Sequence, residues 1–276
     1  GIPVISSKLP KIFYGGDYNP EQWSYDTWVD DIRLMKKAGV NLVSIGIFSW
    51  ALLQPAEGTY DFEWFDKLMN LLAGNGIYAD LATATAAQPA WLSSKYSDVL
   101  PVDENGNQLS YGSRQSYCPN SPSYRKFGQK LVKKLAERYK NHPALALWHI
   151  NNENACHTLF CYCSNCEKSF RVWLQNKYGS LDQVNDVWGT NFWSQKYYHW
   201  EEIVPPRNTT AQKNPGMVLD YWRFMSDSLL ECYMAEYEIV KEATPHIPVT
   251  TNFMPDFKPL DYFKWAQNMD VVSWDS

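Results

Sequence analysis

No run in this sequence approaches the ~20 consecutive apolar residues that a helix needs to cross a bilayer, which excludes an integral helical membrane protein. Nor is there a basic cluster: 25 Lys and Arg are scattered among 30 Asp and Glu, for a formal net charge of −5. A nucleic-acid-binding face concentrates positive charge, so no nucleic-acid partner is expected. The phosphate-cradling pattern G-x-G-x-x-G is missing, and the first glycine turn reads Y-G-G-D-Y-N instead. G-x-S-x-G is absent too, and none of His142, His149 and His246 has a Ser or Cys nucleophile at a recognisable motif spacing. The opening residues G-I-P-V-I-S-S-K-L-P-K lack the charged start, apolar core and small-residue cleavage site of a secretion signal, so a cytoplasmic protein is expected. No internal repeat, low-complexity tract or Gly/Ser-rich linker divides the chain, and residues 1–276 are read as one domain.

What is present is ordinary in bulk and unusual in one respect. Apolar residues make up 45% and charged residues 20%, as in a globular domain, and 276 residues suit a single α/β barrel. Aromatics reach 16%, with 13 Trp, 18 Tyr and 12 Phe. Trp23, Trp50, Trp91, Trp193, Trp200 and Trp274 are spread through expected loops as well as helices. Sugar rings stack their C–H faces on such side chains, but aromatics also dominate cores; composition leaves both readings open.

Short apolar runs alternate with amphipathic stretches. Strands are expected at 12–18 (running into a Gly-Gly turn), 42–47, 78–82, 145–152, 249–252 and 271–274. Helices are expected at 27–38, 62–73, 121–141, 167–178, 181–188, 219–242 and 260–267. Gly39 and Gly74 read as helix stops, Ser121 as an N-cap and Pro122 as a first-turn residue. This alternation predicts a parallel sheet with helices outside. The doubly wound sheet is disfavoured by the first turn. The long loops 83–120 and 153–166, placed after strands, favour an α/β (β/α)8 TIM barrel, whose active sites occupy those loops. Only about six of the eight strand–helix units are counted, so the barrel is expected to be incomplete at its C-terminal end.

The fourth strand ends W-H-I-N-N-E-N. An apolar strand that delivers Asn152 and Glu153 to a barrel mouth puts a carboxyl in a partly desolvated place beside an amide. Burial raises a carboxyl pKa, which suits Glu153 to general-acid work, and Asn152 can hold a substrate hydroxyl. His149 reads as a satisfied core imidazole, and Asp17 and Asp275 as hydrogen-bond partners at the mouth.

Those residues carry a resemblance. N-N-E after strand four, Y-G-G-D-Y-N-P-E-Q-W from Tyr14, G-I-F-S-W-A-L-L-Q-P-A-E-G-T-Y-D-F-E-W-F-D from Gly46 and S-R-Q-S-Y-C-P-N-S-P from Ser113 together resemble glycoside hydrolase family 42, the barrel β-galactosidases. The resemblance implies that Glu153 is the acid/base of a retaining glycosidase and that Asn152 binds the sugar 2-hydroxyl. It also implies that Arg114 and Trp193 line the galactose site and that the protein is a homotrimer. The nucleophilic Glu is implied to lie on a seventh strand beyond Ser276, so the 276 residues alone are expected to be inactive. Asn154 stands where family members commonly carry Tyr. The other readings are the same chemistry on β-D-fucosides or α-L-arabinopyranosides, and a non-catalytic sugar-binding barrel.

Six cysteines remain to be placed. C-Y-C-S-N-C sets Cys161, Cys163 and Cys166 within six positions, and a tetrahedral Zn²⁺ takes four soft ligands at ~2.3 Å. Cys118 in the third loop is the natural fourth, and the resemblance implies a matching four-cysteine site. Such a zinc is structural, because four thiolates leave no open position. A disulfide, which needs an oxidising compartment, is the alternative. Cys156 and His157 read as packing groups nearby, and Cys232 as a small apolar residue within a helix.

Overall fold

The computed structural model describes residues 13–113, 116–150, 160–253 and 271–274. Within them six strands lie side by side, all parallel and in chain order: β1 (Tyr14–Tyr18), β2 (Leu42–Ile45), β3 (Tyr78–Ala82), β4 (Leu145–His149), β5 (Val249–Phe253) and β6 (Val271–Trp274). A doubly wound sheet reverses its strand order at a switch point; a sheet that never reverses is a barrel wall. The fold is thus an arc of a (β/α)8 barrel.

The helices are α1 (Tyr25–Lys37), α2 (Trp50–Leu53), α3 (Glu63–Gly74), α4 (Ala90–Lys95), α5 (Pro122–Tyr139), α6 (Ser164–Tyr178), α7 (Leu181–Trp188) and α8 (Pro215–Ala243). α5 begins as its sequence dictates. Ser121 Oγ accepts the Tyr124 N–H at 3.1 Å, and Pro122 occupies the first turn. Several boundaries are corrected, α6 among them, which starts at Ser164 and not 167. α3 runs through Gly74 and is closed by Asn75, with the left-handed residue being Gly76 (φ +69°). α8 starts at Pro215, not 219, because Asn214 caps it by accepting the Met217 N–H at 3.1 Å. α2 and α4 are short helices inside stretches read as loop. The helix expected at 260–267 lies outside the described residues.

Alternation along each strand sorts side chains between two faces. Val43, Ile45, Ala79, Leu81, Leu145, Trp148 and Val249 join one large core with Ile32, Phe65, Leu68, Leu131 and Leu135, a register shift opposite Ala79 and Asp80 breaking the alternation in β4 so that Leu145 and Trp148 share it. Leu42, Ala146, Leu147 and Tyr78 form a separate apolar cluster of their own. A polar chain crosses the strands beside it. Tyr14 Oη lies 2.9 Å from Ser44 Oγ, which donates to Asp80 Oδ2 at 2.8 Å, and Asp80 Oδ2 is 3.5 Å from His149 Nδ1. His149 therefore sits in the core beside a carboxylate. The Gly15–Gly16 pair is a bulge inside β1 rather than a turn after it. Gly16 takes φ +85°, and a Cβ on Gly15 would meet Val40 Cγ1 at 2.7 Å. The irregularity it creates between Tyr14 and Asp17 brings Tyr14 Oη within 3.0 Å of Asp17 Oδ1.

A second core lies beside the barrel wall, built from Cys118, Cys161, Cys166, Phe170, Leu174, Val184, Trp188, Tyr221 and Phe224. α8, with 29 residues, joins the two. Met217, Tyr221, Phe224 and Met225 pack in the second core, whereas Leu229, Leu230, Tyr233 and Val240 pack in the first. Asp220 pins the start of this helix. Only 1% exposed, it accepts from Tyr178 Oη (2.6 Å), Trp188 Nε1 (2.9 Å) and Lys177 Nζ (2.9 Å). Burial pushes its carboxyl up, but these donors outweigh burial and hold it below its ordinary value. Asp220→Ala strands the donors and is expected to cost about 3 kcal/mol, read as a lower urea midpoint. Because the folded state keeps this carboxyl ionised at lower pH than the unfolded chain does, its contribution is complete above about pH 4 and fades as pH falls further. The wild-type and variant midpoints should therefore converge in acid.

Candidate functional site

The mouth of the arc is set by the carboxyl ends of β3 and β4. Thr83 N–H donates to the His149 carbonyl at 2.9 Å, and Ile150 N–H to the Thr250 carbonyl at 3.0 Å. The last residues of β4 are thus gripped from both neighbouring strands, and the chain leaves them directly into 151–159. Asn152, Glu153, Cys156 and His157 lie in that stretch and Arg114 in another, all outside the described residues. Trp193 is described. It is 61% exposed in a short 3₁₀ turn after α7, left-handed at φ 52°, with its ring stacked on Phe192 at 4.5 Å.

At the exit of β3 the backbone turns through Ala84, a non-glycine residue at φ +66°. Thr83 and Thr85 flank it, both fully buried. Beneath them stands Glu236 of α8, 4% exposed, accepting the Thr85 hydroxyl at 3.0 and 2.9 Å on its two oxygens. Burial pushes its carboxyl up to about 7, with the Thr83 and Thr85 hydroxyls pulling the other way. Sequence reasoning passed over this residue. Its one signal is position: Glu236 falls between Tyr233 and Val240 on the buried stripe of α8, where the periodicity asks for an apolar side chain.

The four cysteines singled out by spacing do come together. The Sγ atoms of Cys118, Cys161, Cys163 and Cys166 all lie within 4.8 Å of one another, and all four residues are buried. Cys118 Sγ is 3.5 Å from Cys163 Sγ and 3.4 Å from Cys166 Sγ. These separations far exceed the ~2.05 Å of a disulfide bond. They approach the edge of about 3.8 Å that four sulfurs make around a metal at ~2.3 Å. Backbone N–H groups face the sulfurs, from Val102 to Cys161 and from Asn120 to Cys118, each at 3.4 Å. Tyr221 Oη donates to the Cys161 carbonyl, tying the cluster to α8. Cys163 occupies the N-cap of α6, where the helix end favours negative charge. Burial pushes the Cys118 and Cys166 thiols up, whereas hydrogen bonds from the three neighbouring cysteines hold the Cys163 thiol down. Four clustered, buried, soft donors fit one metal ion. Cys232 is set apart, half-buried, with Sγ donating to the Pro119 carbonyl at 3.3 Å.

No helix among the described residues is long and apolar enough to cross a membrane. Residues 17–276 match the glycoside hydrolase 42 family, described as β-galactosidase. A β-galactosidase of Heyndrickxia coagulans is 59% identical over 269 residues, which cover 98% of this chain and 40% of that protein. One from Geobacillus kaustophilus is 56% identical over 268 residues, covering 97% and 40%. The crystal structure of a β-galactosidase from Bacillus circulans sp. alkalophilus superposes with a TM-score of 0.94 at 50% identity, covering 99% of this chain and 41% of that one. The chain thus spans about 40% of the length of the curated relatives it matches. With a single parallel arc and a family match over nearly all of its residues, this chain belongs to glycoside hydrolase family 42.

Proposed function

We propose that this chain carries the proton-donating half of a retaining glycosidase that releases terminal β-D-galactose, on one catalytic barrel domain with a metal-binding insertion near 153–166. The observation that carries the reading is the family match over residues 17–276, a range that includes Asn152 and Glu153. Retaining hydrolysis takes two carboxyls ~5–5.5 Å apart. Glu153 protonates the glycosidic oxygen as it departs, then takes a proton from the water that releases the sugar. Asn152 holds the 2-hydroxyl, and Arg114 and Trp193 line the galactose site. The attacking carboxylate is assigned to a later strand than β6, so the 276 residues alone are inactive. The cytoplasm and a homotrimer suit the family resemblance.

For the cysteines we propose a structural Zn²⁺ held by Cys118, Cys161, Cys163 and Cys166. A soft, four-thiolate, buried donor set supports it and leaves no position for a reacting water. Bound metal ties the loop after β3 to the start of α6, which flanks the stretch carrying Glu153.

The test is the full-length protein with nitrophenyl β-D-galactoside, following the anomeric proton of the first-formed sugar by NMR. The β-anomer is expected first, with nitrophenyl β-D-fucoside and α-L-arabinopyranoside turned over more slowly. First release of the α-anomer would overturn retention. No turnover of any of the three pyranosides would favour a non-catalytic sugar-binding barrel.

A further inference from the structure

Glu236 is a buried carboxylate that the proton-transfer scheme does not use. Among the described residues no cation pairs with it, and its partners are the Thr83 and Thr85 hydroxyls. A buried charge without a counter-ion is costly, and an apolar side chain would suit a helix stripe better. What it holds is specific. Thr83 and Thr85 bracket Ala84, whose φ of +66° costs a non-glycine residue free energy and persists only where its surroundings enforce it. Tyr124 Oη adds a second restraint, donating to the Thr85 carbonyl at 2.8 Å. From Thr83 the chain of contacts continues through its N–H to the carbonyl of His149, the last residue of β4 and four positions before Glu153.

We propose that Glu236 is a positioning residue: its carboxylate clamps the two threonines around Ala84, fixing the exit of β3, and through the Thr83–His149 hydrogen bond sets the direction in which β4 delivers Glu153. This role rests on the glycosidase reading above. An ionised carboxylate accepts from both threonines. A protonated one must turn an O–H toward one of them and compete with the hydroxyl it held. The titratable groups that face Glu236 are Tyr124 of α5 and Cys232 one turn back on α8. Burial pushes the Tyr124 hydroxyl well up and the Cys232 thiol up to about 11, so neither changes charge near neutral pH. A step there in the chemical rate thus reports on Glu236, on Glu153 or on the attacking carboxylate, and only the first is removed by substituting Glu236.

Glu236→Gln separates these in the full-length protein. It keeps the shape and removes the charge, and is expected to lower kcat toward nitrophenyl β-galactoside by about ten- to a hundredfold, with KM within about twofold. Its thermal midpoint should stay level or rise, since a buried unpaired charge has gone. The acid-side inflection of kcat should shift, which loss of packing alone would not cause. Glu236→Asp, which keeps the charge but shortens the reach, is expected to recover part of kcat and to retain the wild-type inflection, and it serves if the Gln variant fails to fold. A Gln variant within twofold of wild-type kcat overturns the role. So do kcat and thermal midpoint that fall together in both variants. An inert wild type overturns the galactosidase reading, and this role with it.

Discussion

In the full-length protein, Glu153→Ala is expected to lower kcat toward phenyl β-galactosides by ~10²–10⁴-fold, and by less as the leaving phenol becomes more acidic. The gradient follows from what the side chain is proposed to do. A proton delivered to the glycosidic oxygen helps in proportion to the basicity of the departing group, so dinitrophenolate leaves nearly as well without it. The second step then suffers alone, because no base remains to activate water against the glycosyl-enzyme. Azide needs no base. Added to the variant, it should attack the intermediate and yield β-galactosyl azide while restoring turnover of the activated substrate. An equal loss for every leaving group, or no azide adduct, would count against Glu153 as the proton donor. The structural reason to expect a well-aimed group is the grip on β4: its last carbonyl is held by Thr83 and the following N–H by Thr250.

Cys118→Ser should reduce bound metal from about one equivalent to near zero and lower the thermal midpoint more than any single apolar truncation in the second core. Cys118 is the one cysteine of the four on the loop after β3; the other three come from the segment that opens α6. Its loss cuts the tie between the two segments, and structural zinc binding contributes about 10–16 kcal/mol in small peptides. Less is lost here, because Phe170, Trp188, Tyr221 and Phe224 hold a core without the metal. Cys232→Ser is the control and should keep its metal, since its sulfur faces the Pro119 carbonyl instead. Metal content is read by elemental analysis of protein purified without added metal. Retention of full metal by Cys118→Ser would remove it from the ligand set. Fewer free thiols in the denatured, metal-stripped chain than in its reduced form would indicate a disulfide instead. Metal should also be released more readily in acid, because burial favours the protonated thiols of Cys118 and Cys166 and a metal must displace those protons.

Much of the architecture was legible locally. The strand at Tyr78–Ala82 and the helix at Leu181–Trp188 emerge where their periodicity puts them, and α5 starts at the Ser121–Pro122 signal. Apolar alternation and helix caps act over a few residues, so they survive in a sequence read without a fold. The same locality misled at Gly15–Gly16, where two glycines promised a turn. They instead form a bulge inside β1, where Gly16 takes φ +85° and Val40 leaves no room for a side chain at Gly15. α2 and α4 escaped notice because four and six residues are too few to show a helical period. The aromatic excess also resolves in part toward the interior: Trp50 and Trp148 are fully buried, whereas Trp23 and Trp193 are more than half exposed.

The sequence by itself determined the order of strands and helices, the family and the trio of cysteines within one short segment, because each is written in neighbouring residues. The tertiary structure alone decided that Cys118 reaches that trio, that Asp80 faces His149 and that Glu236 meets Thr85 across 151 positions of chain. Contacts between distant residues leave no periodic trace. They exist only once the sheet has curled and α8 has been laid across both cores, and burial then converts ordinary carboxyls and thiols into groups whose protons are shared or displaced.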